Sequence, residues 1–86
     1  MNEIETIILL SIFPNPTADQ LTLQISELND KQLSYQLVDI QGKILKAEKL
    51  TSKSTQIEMS NLPVASYIIN VYEAAKLVQM FRVNKI

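Results

Sequence analysis

The chain has 86 residues, a formal net charge of −1 and an apolar content of 47%. That length gives one domain with a small core, that apolar content argues against wholesale disorder, and the near-neutral charge supplies no basic stripe for nucleic acid or anionic lipid. With no cysteine and no histidine, the chain lacks disulfides, thiolate metal sites, a cysteine nucleophile and the commonest general base.

The first residues, MNEIETIILLSIF, carry one apolar run too short for a membrane span. Glu3 and Glu5 stand where a signal peptide needs positive charge. Residues 1–8 therefore read as a tail or the end of a linker, and Ile8 to Phe13 as a first strand running into the domain proper, 9–86. Pro14-Asn15-Pro16-Thr17 then makes a stiff corner. Its two prolines remove two backbone donors and fix two φ angles near −65°. Their neighbours are pushed away from helix.

Gln20 to Ser26 alternates without a fault. Leu21, Leu23 and Ile25 share one face, and Gln20, Thr22, Gln24 and Ser26 the other, as in a half-buried strand. Glu27 to Lys31 is a turn, with Asn29 and Asp30 suited to bond nearby backbone. Leu33, Tyr35 and Leu37 alternate next, while Val38 and Ile40 continue the opposite face. Asp39 to Lys43 is a hairpin signal, because Gly42 alone has free access to positive φ. Ile44 to Leu50 is a charged strand, and Lys46, Glu48 and Lys49 mark it as an edge.

Thr51 to Ser54 is a polar turn before the alternating strand Thr55, Ile57, Met59. Ser60 to Pro63 closes it, since Pro63 cannot donate to a central ladder. Tyr67 to Tyr72 is the most continuously apolar run and reads as a central strand buried on much of both faces. Glu73 to Lys76 is a short connection without glycine, and Leu77 to Val83 a final strand. Six or seven strands at such spacing indicate a small antiparallel sandwich or barrel.

Catalytic chemistry finds little support. Glu27, Asp30, Asp39, Glu48, Glu58, Glu73 and Asp19 show no spacing that selects a carboxylate pair. Asp39 reads as the cap of the Gly42 turn. The serines lack a histidine, so no Ser-His-Asp triad can form, and there is no glycine-rich phosphate loop. Tyr35, Tyr67 and Tyr72 offer an aromatic platform for sugars only if they are not core. On these residues the chain is expected to be no enzyme and to need no cofactor. A generic adhesive or carbohydrate-binding sandwich is the alternative.

Three stretches carry a more specific message: PNPTADQLTL at 14–23, LVDIQGKIL at 37–45 and IEMSNLPVASYIINV at 57–71. In this order and spacing they resemble the type A C-terminal sorting domain of the type IX (Por) secretion system. The resemblance implies an immunoglobulin-like β-sandwich of about seven strands that directs an N-terminally attached cargo through the periplasm and across the outer membrane. It implies shuttle and translocon components as partners, removal by a sortase-like cysteine peptidase, and a cell-surface or extracellular destination. Neither nucleic acid nor a small-molecule substrate is implied. Strand addition at the sandwich edges or C-terminal strand is the expected binding mode. The residues carried over are Pro14, Asn15, Pro16, Asp39, Gly42, Lys43, Leu62, Pro63, Tyr67 and Lys85, expected to shape the recognised fold more than to touch a partner. The family pattern has glycine two residues before the tyrosine, where this chain has Ala65. A left-handed backbone there would cost alanine on the order of 1 kcal/mol.

Overall fold

A computed structural model describes residues 9–28 and 32–86. The expected tail at 1–8, and Asn29, Asp30 and Lys31 of the expected turn, lie outside the described residues. Seven strands follow one another: β1 (Leu10–Phe13), β2 (Gln20–Ile25), β3 (Leu33–Asp39), β4 (Ile44–Lys49), β5 (Ser54–Glu58), β6 (Ala65–Glu73) and β7 (Lys76–Lys85). They form a three-stranded sheet in the order β1-β2-β5 and a four-stranded sheet in the order β4-β3-β6-β7. All strand pairs are antiparallel. The result is a small all-β sandwich.

Alternation dictates the packing. Leu21, Leu23 and Ile25 of β2 with Ile57 of β5 supply one inner face. Leu33, Tyr35 and Leu37 of β3, Tyr67, Ile69 and Val71 of β6, and Val83 of β7 supply the other. Leu50 and Met59 plug the strand connections. Each fully buried Leu, Ile or Val contributes roughly 1.5–3 kcal/mol relative to exposure, so this one cluster holds the sandwich.

β4 lies at a sheet edge, as its charges predict. Lys46 and Glu48 form an ion pair at 3.8 Å there. β6 is central, but its outer face is only partly covered. Ile68, Asn70 and Tyr72 are half-buried where Tyr67, Ile69 and Val71 are buried. The expected two-sided burial is thus met on one face. The sandwich has two layers, and nothing among the described residues covers the back of β6. β6 and β7 also extend beyond their expected limits, because each continues to pair with the other from Ala65↔Lys85 to Glu73↔Lys76.

The anticipated strain at Ala65 does not occur. Ala65 is the first residue of β6. The one non-glycine residue with positive φ among those described is Ala74, at 53°. The left-handed conformation sits in the Ala74-Ala75 hairpin because a connection this short between β6 and β7 must reverse the chain within two residues.

Candidate functional site

Every residue carried over by the family resemblance lies at one end of the sandwich. Asp39 of β3, Tyr67 of β6 and Val83 of β7 stand in one cross-strand row. Ala65 and Lys85 pair two residues further out. The β3–β4 turn, the β5–β6 connection and the proline corner between β1 and β2 therefore share this end. The opposite end holds Leu9, the Leu50–Lys53 connection and the Ala74-Ala75 hairpin. There Ser26 N–H donates to the Leu9 carbonyl, Ile25 N–H to Lys53 and Ala74 N–H to Gln32.

Three local devices build the first end. In the β3–β4 turn, the Asp39 carboxylate accepts from the N–H groups of Gln41 and Lys43, both at 2.9 Å. Gly42 has φ +90°, and its N–H donates to the Asp39 carbonyl. The side chain of Asp39 caps the turn and Gly42 permits it. In the β5–β6 connection, Tyr67 donates its hydroxyl to the Pro63 carbonyl at 2.6 Å. A tyrosine at the start of the sixth strand bonding back to upstream backbone is the corner device of immunoglobulin-like sandwiches. Leu62 packs half-buried against the core beside it.

The third device is the corner itself. Both of its X–Pro bonds, Phe13–Pro14 and Asn15–Pro16, are cis. Asn15 reaches across to the last strand. Its Nδ2 donates to the Arg82 carbonyl at 2.8 Å, and its Oδ1 accepts from Asn84 N–H at 3.0 Å. Thr17 continues the contact. Its N–H donates to the Asn84 carbonyl, and its carbonyl accepts from Ile86 N–H, both at 2.9 Å. This pairs Thr17 in parallel with Lys85. Thr17 is 2% exposed, and its hydroxyl donates to the Gln20 carbonyl. The corner is thus stitched along the outer edge of β7.

Pro14, Asn15, Pro16 and Lys85 come together in this way. Asp39, Gly42 and Lys43 form a separate turn on the same end, and Leu62, Pro63 and Tyr67 a third. Lys85 is largely buried, with its Nζ donating to the Ile86 backbone oxygen at 3.3 Å. Thr17, which closes the corner, and Arg82 and Asn84 belong to the arrangement, though none of the three is among the residues the family resemblance carries over. Their contribution is largely through backbone groups, which no residue type advertises.

A family model described as the secretion system C-terminal sorting domain matches residues 11–83. The chain belongs to this family. A search of curated proteins finds none that matches it. The sorting domain is the C-terminal secretion signal of the type IX system. As such it interacts with the secretion machinery and leads to the cell surface or extracellular space.

The alternatives lose their footing in the geometry. Tyr35 and Tyr67 are core residues, 0% and 3% exposed, so they present no sugar platform. Tyr72 is half-buried, and its hydroxyl lies 3.4 Å from the Gln36 side-chain oxygen. Tyr35 donates to Glu48 at 2.6 Å, and burial, then that bond and the carboxylate charge, push its pKa up. The pKa of the Glu58 carboxyl is lowered. Its bond with Ser60 is the main cause, followed by Gln20. A general acid needs the reverse. Among the described residues no cluster of acidic side chains could hold a metal ion. The family to which the sorting domain belongs is not an enzyme family.

Proposed function

We propose that the sorting domain works by presenting the end built from its proline corner, Asp39 turn and Tyr67 corner to the outer-membrane shuttle and translocon. The observation that supports this is the segregation of those devices from the end where the chain enters at Leu9. A cargo attached upstream of residue 9 leaves from the opposite end, so it does not cover them. Residues 9–86 then form the recognised unit, in transit through the periplasm, and a sortase-like cysteine peptidase cuts in the chain upstream.

Pro14, Asn15, Pro16, Asp39, Gly42, Lys43, Leu62, Pro63, Tyr67 and Lys85 act chiefly by shape. Asn15 spends both ends of its amide on β7, Asp39 spends its carboxylate on the turn, and Tyr67 spends its hydroxyl on Pro63. Groups so engaged have little left for a partner. Fusing residues 9–86 behind a periplasmic reporter tests the reading. In a type IX-competent bacterium the fusion is expected outside the outer membrane. Retention in the periplasm would count decisively against it.

A further inference from the structure

The two long edges of the four-stranded sheet are treated differently. β4 is guarded by Lys46, Glu48 and Lys49, and charge on an edge discourages added strands. β7, at the other edge, carries Leu77, Val78 and Met80 exposed at 46%, 42% and 57%. In the smaller sheet the outer strands are a four-residue β1 and the polar β5. Among the described residues, the β7 edge is the least protected.

Its backbone can be accounted for group by group. Arg82, Asn84 and Ile86 direct their edge groups away from β6, since these bond to Asn15 and Thr17. Alternation along an antiparallel strand places the N–H and C=O of Met80 on the same outer side. There the corner has ended. On the far side the register slips between Val71 and Tyr72, leaving Val78 as an extra residue. Among the described residues, the open edge groups are therefore those around Met80, between the bulge at Val78 and the corner bond at the Arg82 carbonyl.

We infer that this stretch of the β7 edge receives an extended strand from the secretion machinery, in line with the pairing that Thr17 already makes on the same edge. The inference rests on the sorting function proposed above. An open row of main-chain donors and acceptors is met by another strand, which gives affinity through main-chain bonds. The exposed Val78 and Met80 call for apolar side chains on it. Lys76 and Arg82, both exposed at either end of the stretch, call for acidic residues beside them. A second copy of this chain fits poorly. Paired antiparallel around Met80, its strand would run into the corner at Asn15 and Thr17.

The test compares export of a reporter fused to the full chain and to its variants. Met80→Pro removes an outward donor without touching a bond to β6, and Met80→Ala keeps that donor. The expected result is folding retained in both, with export falling at least tenfold for proline and less than threefold for alanine. If Met80→Pro fails to fold, the pair Val78→Lys and Met80→Lys, which keeps every backbone donor and adds guard charges, is expected to give the same export loss. Unchanged export in the folded variants overturns the inference. Failure of the unmodified fusion to leave the cell instead overturns the sorting role itself. A concentration-dependent dimer in sedimentation, abolished by Met80→Pro, would assign the edge to a second copy and overturn the partner strand.

Discussion

Replacing Asn15 by alanine isolates the clamp between the proline corner and the last strand. The side chain makes two hydrogen bonds, to the Arg82 carbonyl and from the Asn84 N–H. Each contributes a net of about 1 kcal/mol. The corner is exposed, so water takes over part of the lost bonding, and the expected loss is about 1–2 kcal/mol. For a domain of this size that lowers Tm by roughly 4–16 °C. Asn15→Asp keeps the acceptor for Asn84 but sets a carboxylate against the Arg82 carbonyl, so it should recover none of the loss at neutral pH. Urea unfolding of the three proteins measures this directly. A change below about 0.3 kcal/mol in Asn15→Ala would refute the clamp. It would also make Asn15 a candidate for direct contact, above all if the folded variant were not exported.

Three further outcomes follow from the same geometry. Tyr67→Phe, which deletes the bond to Pro63, should cost about 1 kcal/mol in urea unfolding. Gly42 and Ala74, both left-handed, should respond oppositely. Gly42→Ala meets no atom within 4 Å, so backbone strain alone sets its cost of about 1–2 kcal/mol, whereas Ala74→Gly should stabilise by up to about 1 kcal/mol. The raised pKa of Tyr35 means that the folded state holds that proton more tightly than the unfolded chain. Its contribution is complete below about pH 10 and is lost as the pH rises further. Stability measured between pH 8 and 12 should fall more steeply in the parent than in Tyr35→Phe, and parallel curves would contradict the assignment.

Much of this architecture is legible in single residues. Leu21, Leu23 and Ile25 announce β2 and its inner face because a strand has a period of two. Asp39 and Gly42 announce their turn because few residues supply a cap and a positive φ. Lys46, Glu48 and Lys49 announce an edge. Other features depend on what lies across the fold. Asn15 declares a turn residue, but not that its amide reaches a strand nearly seventy positions away. The positive φ falls on Ala74 and not near Ala65 because the tightness of the β6–β7 hairpin sets it, and alanine carries no sign of that demand. Val38 and Ile40 together read as more burial toward the end of β3, yet only Val38 is buried, beside the half-buried Ile68, while Ile40 lies exposed at the turn. The clustering of the family motifs at one end was also beyond their order and spacing, for it follows from the strand pairing.

That clustering yields the most direct measurement. A compact folded reporter joined after Ile86 places bulk beside the proline corner, while the same reporter joined before Leu9 places it at the opposite end. Export of both fusions should be compared in a type IX-competent host, with folding of the sandwich checked in each. The fusion carrying its reporter before Leu9 is expected to be exported and the other retained, although both are folded. Equal export of the two would contradict the claim that the end built by Asn15, Asp39 and Tyr67 is the one the machinery must reach.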